Sequence, residues 1–393
     1  MRELLVRPRP RLAKGAIGDA LSGRARQMRS ITLILILAGV GIAFQFFTHG
    51  LFLSPRNLSV LAVQASMTAL LASGMVMVIV AGHIDLSVGA SVALCAIAGA
   101  ILIQDYGLSV PVACAVTLVV GISIGVWHGA WVALSRVPAF IVTLASLLGL
   151  RGLALIVTNG YTISPTGDIT VLASGSIPAP VAALLLGALV LGYLYVLVTE
   201  RNARVAAGMQ SSLTTQVLIP GTAAATLATV TTIAAASYRG IPFPVALLIA
   251  FASAIWFLMR HTVFGRRVYA LGGNAEAAKL SGINWGAMSF SLFVVMGVLY
   301  AVAGLVMLAR LDSAPPAAAQ GLELNVIAAT VVGGTSLFGG VGTVPGAIVG
   351  ALLMESLNNG MSLMNFPSAS AQVVVGLVLL VAVFLDIRGR ANV

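Results

Sequence analysis

Long apolar runs fill this chain, separated by short polar or Gly/Pro-rich breaks, and the spacing of the breaks predicts membrane helices. A span needs roughly 20 apolar residues. Runs of that kind lie at 31–48, 58–81, 86–104, 109–134, 139–157, 179–199, 216–236, 242–259 and 287–309. A broken pair follows at 324–338 and 345–357, then a final run at 371–386. The fold class is therefore all-α, a polytopic membrane protein with about 10–12 hydrophobic segments.

Two places disturb the pattern. The first is Asp85, inside Gly82-His-Ile-Asp-Leu-Ser-Val-Gly89. A carboxylate at bilayer depth costs at least ~2.5 kcal/mol and normally faces a wet cavity or a partner. Asp85 reads either as the N-cap of the next helix or as a pathway residue. The second is Val332-Gly-Gly-Thr-Ser-Leu-Phe-Gly-Gly-Val-Gly-Thr-Val-Pro-Gly346, too rich in Gly and Pro for one straight helix. It reads either as a tight turn between two spans or as a bend that returns the chain to the face it came from; non-helical backbone at that depth must be covered by protein or water. Gly121, Gly125 and Gly129, four apart on one helix face, predict a close-packed helix contact.

Composition agrees. The chain has 393 residues, 59% hydrophobic and 8% charged, with mean hydropathy +1.06, whereas soluble domains carry about 25% charged residues. The net charge of +10 does not point to nucleic acid, because of where the cations sit. Arg2, Arg7, Arg9, Arg11, Lys14, Arg24, Arg26 and Arg29 form a basic tail over 1–29. With that tail in the cytoplasm, the alternating loops place Arg136, Arg201, Arg204, Arg260, Arg266, Arg267, Lys279, Arg388 and Arg390 on the same side. Only Arg56, Arg239 and Arg310 fall outside, and Arg151 lies within a span. That asymmetry predicts cytoplasmic termini and contact of the tail with membrane lipid. The tail and first run lack a small-residue cleavage site, so the run reads as a retained helix rather than a signal peptide.

Cys95 and Cys114 have no metal or redox spacing, and His49, His83, His128 and His261 form no ligand pattern. No metal site and no catalytic residue is expected. No G-x-x-x-x-G-K-[ST] loop occurs, and Gly340-Val-Gly342-Thr-Val-Pro345 misses even G-x-G-x-x-G, so the chain has no P-loop for a triphosphate.

One cytoplasmic stretch, 260–286, differs from the other loops: it is polar, basic, and reads as a short helix bounded by Gly273-Asn274 and Gly282. Within it Glu276-Ala-Ala-Lys-Leu-Ser-Gly282 fits the EAA-x-x-x-G pattern of ABC importer permeases. Around it the chain resembles the sugar permeases of the ribose/xylose type. The resemblance is carried by Leu53-Ser-Pro-Arg-Asn57, Gly82-His-Ile-Asp-Leu-Ser-Val-Gly89, Val137-Pro-Ala-Phe-Ile-Val-Thr-Leu144 and Leu150-Arg-Gly152. It continues in Phe264-Gly-Arg266, Leu271-Gly-Gly-Asn274, Val332-Gly-Gly-Thr-Ser336 and Asn358-Asn-Gly360. An extra two-span insertion at about 179–236, with Ile163-Ser-Pro-Thr166 and Asn359-Gly-Met-Ser-Leu-Met364, is similar to the xylose branch. His83 and His128 depart from the pattern.

The resemblance implies a permease domain over 30–393 in the bacterial inner membrane, moving a monosaccharide, D-xylose or a similar aldose. It implies three partners: an ATPase subunit with tandem nucleotide sites that holds ATP and Mg, a periplasmic sugar-binding protein, and a second copy of the chain. It assigns Gly265, Arg266, Gly273, Asn274, Glu276, Ala277, Ala278 and Gly282 to ATPase coupling, with Ala277 and Ala278 permitting close docking. Asp85, Ser87, His83, Arg151, Asn358 and Asn359 are the candidate pathway residues. Arg151 is expected to pair with a carboxylate, Glu355 to reach water at the outer end of its span, and Asp312 and Glu323 to lie on the outer surface. The competing class is a proton-coupled secondary transporter using Asp85, Glu323 or Glu355; a docking helix in the 260–286 loop discriminates against it. A permease for another small polar solute is the third reading.

Overall fold

The computed structural model describes residues 32–165, 167–209, 211–237 and 240–391; the basic tail expected at 1–29 lies outside the described residues. Every apolar run expected from the sequence contains a helix, although the run at 324–338 is helical only as far as Val332. In chain order the helices are α1 (Thr32–Phe47), α2 (Pro55–Val80), α3 (Val88–Gln104), α4 (Val110–Ala133) and α5 (Ala139–Val157). Next come α6 (Val171–Ser174), α7 (Ala179–Ala206), α8 (Ile219–Ser237), α9 (Phe243–His261), α10 (Val263–Gly273) and α11 (Ala275–Leu280). The chain closes with α12 (Trp285–Leu311), α13 (Leu322–Val332), α14 (Val344–Leu363) and α15 (Ser368–Ala391). Among the described residues, strand is confined to β1 (Ser176–Ile177), antiparallel to β2 (Ile241–Pro242), and an isolated bridge between Ile163 and Ala314.

Helix starts follow local chemistry. Pro occupies the first turn of α2, α4, α7, α9 and α14, where its missing N–H costs nothing. Ser54, Thr262, Asn274, Asn284 and Thr343 cap α2, α10, α11, α12 and α14 with a side-chain oxygen that accepts a backbone N–H.

The core is built around α12, which packs against α2, α3 and α4. The glycine stripe on α4 makes the closest of these contacts. A Cβ on Gly121 would overlap the Gly297 carbonyl, one on Gly125 the Phe293 carbonyl, and one on Gly129 would press on Phe290. Small residues let two backbones touch where no hydrophobic force drives helices together. Trp127 and Trp131, beside the stripe, point outward at 55% and 42% exposure into an apolar groove shared with α5.

α3 and α13 are short, and the Gly-rich bend at 333–343 separates α13 from α14 as two distinct helices. Position along α12 shows where α3 begins. His83 contacts Ser289, Asp85 contacts Tyr300, and Gly99 packs on Leu305 and Leu308. At 1.5 Å per residue Tyr300 lies about 22 Å from the Trp285 end, roughly halfway along the helix. Residues 81–87 therefore turn back from the end of α2, and α3 starts inside the molecule. α13 starts beside it: a Cβ on Gly89 would overlap the Ala319 carbonyl and the Glu323 carboxylate.

Candidate translocation and coupling site

Asp85 lies fully buried in the non-helical segment before α3. It is not the N-cap; Ser87 holds that position. Asp85 Oδ1 instead accepts the Ser87 N–H (2.8 Å) and the Ser87 hydroxyl (2.6 Å), a local Asx turn, and Oδ2 accepts the hydroxyl of Tyr300. Three donors and the positive end of α3 replace the water that a carboxylate loses on burial. Thr143 on α5 fastens the same segment: its hydroxyl accepts the Leu86 N–H (3.1 Å) and lies 3.2 Å from the Ile84 carbonyl. His83, 9% exposed, places Nε2 2.8 Å from Ser289 Oγ and its ring edge-on to Trp285. His128, fully buried, packs edge-on against Tyr300 and Phe293. Asp85 and Ser87 thus form one cluster with Tyr300, and His83 a separate contact with Ser289 and Trp285, all of them buried in this conformation.

Arg151 belongs to the neighbouring junction. Its Nη1 donates to the carbonyls of Pro316 (2.8 Å) and Ala318 (2.7 Å), which ties α5 to the segment that starts α13. Its hydrogen bonds go to backbone carbonyls, and the expected carboxylate, Glu323, lies near enough to attract the cation. Glu323 is half-buried against Gly89 rather than free on the surface. Asp312 is exposed as expected and ends α12 in the left-handed region.

Asn358 and Asn359 lie elsewhere, on the seam between α14 and α2. Asn57 Nδ2 donates to Asn359 Oδ1 (2.9 Å), and Asn359 Nδ2 reaches Gln64 Oε1 at 3.4 Å. One turn further in, the Thr68 hydroxyl donates to Glu355 Oε1 (2.6 Å). Glu355 was expected to reach water; it is partly exposed, and α2 supplies that donor. The candidate pathway residues therefore divide between two places, the junction of α3 with α13 and the α2–α14 seam.

The candidate coupling residues lie together on α10, α11 and the turn that follows. Asn274 caps α11, its Oδ1 accepting the Ala277 N–H (3.0 Å), and Gly282, with φ +83°, ends it. This is the short helix read from the sequence. Arg266, Gly273, Asn274, Glu276, Ala277 and Gly282 are exposed, whereas Gly265 and Ala278 face inward. Ala278 thus seats α11 on the protein instead of offering a docking contact. Leu280, at 86% exposure, presents an apolar side chain on the outer face.

Beneath α11, three segments meet through their backbones. A Cβ on Gly272 would overlap the Val80 carbonyl, the Gly340 N–H donates to that same carbonyl (2.9 Å), and the Tyr269 hydroxyl donates to the Gly342 carbonyl (2.7 Å). The end of α2, the Gly-rich bend and α10 form one junction. Sequence reasoning missed Tyr300, Tyr269 and Thr68. The available signal was a polar side chain deep in an apolar helix, which needs a partner when buried.

A family model described as "Branched-chain amino acid transport system / permease component" matches residues 57–383. The chain is 41% identical over 370 residues to the xylose transport system permease protein XylH of Haemophilus influenzae, covering 93% of this chain and 99% of the relative. It is 39% identical over 378 residues to XylH of Escherichia coli K12, covering 96% of each. It is 34% identical over 365 residues to the ribose import permease protein RbsC of the same strain, covering 92% of this chain and 93% of the relative. No solved structure matches. With its apolar helices and this likeness over nearly its whole length, the chain is a multi-pass inner-membrane protein and belongs to the branched-chain amino acid transport system / permease component family.

Proposed function

We propose that the chain is the membrane-spanning subunit of an ATP-driven importer that admits xylose or a similar aldose. The likeness to XylH along the whole chain, closer than to RbsC, supports the sugar. The observation that carries the ATP-driven reading is α11: a capped helix that exposes Glu276, Ala277 and Leu280 beside the junction of α2, α10 and the Gly-rich bend. A separate ATPase, holding ATP and Mg, docks there. The concentration of Arg and Lys in the loops that include 260–286 supports a cytoplasmic position for α11 and for both termini.

A binding protein releases the sugar at the opposite end, and two copies of the chain frame the path. Motion of α11 is passed to α2 and the bend, and from α2 through 81–87 to the Asp85–Tyr300 contact. Opening the path then means parting α3 from α13, whose starts meet at Gly89 and Glu323. No covalent bond is made or broken in this chain.

The test is uptake of labelled aldoses into vesicles holding the chain with its ATPase and binding protein. ATP-dependent accumulation, strongest for xylose, is expected. Uptake driven by a proton gradient without the ATPase would sink the importer reading, and preference for a non-sugar would sink the substrate.

A further inference from the structure

The α7–α8 pair takes no part in the contacts described above. α7 meets the body of the molecule along α9, at three levels. β1, just before α7, pairs with β2, just before α9, in the register Ser176↔Pro242. Further along, Tyr193 lies edge-on to Trp256 with ring centroids 5.6 Å apart. At the opposite end Glu200 Oε1 sits 3.0 Å from His261 Nδ1.

That last contact is made where α9 ends. The His261 ring stacks on Phe257 at 5.4 Å and meets Trp256 edge-on at 5.0 Å. The next residue, Thr262, caps α10: its hydroxyl donates to the Leu258 carbonyl (2.6 Å) and accepts the Gly265 N–H (3.4 Å). A Cβ on Gly265 would overlap the Met259 backbone, so α10 folds tightly against the last turn of α9. The far end of α10 rests on Val80 and Gly340. A shift of the last turn of α9 therefore moves α10 and α11 with it.

We propose that Glu200 and His261 form a positioning contact by which the two extra spans, α7 and α8, set the pose of the α10–α11 segment and so the yield of solute moved per ATP. The coupling half of this inference rests on the ATP-driven reading; the positional half does not.

The experiment uses the full chain with Cys95 and Cys114 replaced by Ala. Spin labels at positions 135 and 281 report the distance between the exposed α4–α5 turn and the end of α11 in nanodiscs. Glu200→Ala and His261→Ala should each broaden the distance distribution, the double variant no more than either alone. Glu200→Gln, which keeps an acceptor oxygen for the imidazole N–H, should retain the parent distribution. In vesicles with the partner ATPase, the alanine variants should lower solute moved per ATP by about two- to fivefold, as loss of one partly exposed polar contact allows.

An unchanged distribution in an alanine variant that elutes as folded protein overturns the proposal. So does a broadened distribution with an unchanged solute-to-ATP ratio. If the parent chain takes up no solute with ATP, the importer reading fails instead, and the distances alone decide whether Glu200 and His261 position α11.

Discussion

α12 and α7 are nearly equal in length and built from the same apolar residues, yet they occupy opposite environments. The most apolar stretch of α12 is 83% buried within the protein and that of α7 only 11%. Hydrophobicity therefore places both in the membrane without saying which faces protein and which faces lipid. Polar and small residues make that distinction. α12 carries Gly297, Tyr300 and Gly304, each in contact with a neighbouring backbone or with a buried carboxylate. The polar residues that α7 uses, Tyr193 and Glu200, lie along its contact with α9. In lipid, packing and hydrogen bonds give a helix its address, because apolar surface alone gains nothing by leaving the hydrocarbon.

The largest effect is expected where two backbones touch. Gly125→Leu should separate α4 from α12, since the new side chain would push against backbone, the Phe293 carbonyl and the Gly297 Cα. Overpacking costs about 1–3 kcal/mol even where side chains can yield, and here they cannot. Loss of the monodisperse peak in size-exclusion chromatography is the expected result. A normal peak would show that the α4–α12 contact is not what holds the core.

Tyr300→Phe comes next. It leaves Asp85 Oδ2 buried without its hydroxyl donor, at about 1–3 kcal/mol. The variant should fold, melt earlier in a thermal scan, and transport poorly; Tyr300→Phe combined with Asp85→Asn should recover part of the lost stability. Equal melting of Tyr300→Phe and the parent chain would contradict the assigned contact.

A smaller effect, confined to partner binding, is expected of Glu276→Lys. It should weaken the ATPase complex about tenfold in a pull-down titration and leave the melting temperature of the isolated chain alone. The smallest belongs to the lipid-facing side of α7. Leu184→Ala, at 75% exposure, should shift stability by less than about 0.5 kcal/mol. A large loss would mean that α7 has a protein neighbour on that face.

Much of this architecture is legible in the sequence. Each apolar run became a helix because length and hydropathy settle that question in a membrane. The Gly-rich break at 333–343 and the α11 helix were visible because Gly, Pro and capping residues act within a few positions of themselves. What escaped depends on contacts between residues far apart in the chain. Asp85 was read as a possible cap, and its partner Tyr300 lies 215 residues away. Glu355 was expected to reach water, and although it stays partly exposed it takes a donor from Thr68, 287 residues away. Arg151 was given a carboxylate, and while Glu323 lies near it, its hydrogen bonds go to two carbonyls. A single sequence does not list its own long-range pairs, so the candidate path came out as two places instead of one.

The meeting of Gly272, Val80 and Gly340 has a mechanical consequence. Two side chains in contact can change rotamer and absorb part of a displacement before passing it on. Here nothing bends, because peptide groups touch peptide groups. The joint behaves as a stiff bearing with little backlash, so a push on α11 arrives at the end of α2 nearly undiminished. Such a joint is tuned poorly by side-chain substitution nearby, and its output is set by the lengths of the arms on either side. On one side the arm is α10, about three turns with its cap, which joins α9 to α11; on the other it is the four residues, 81–84, that lead to Asp85.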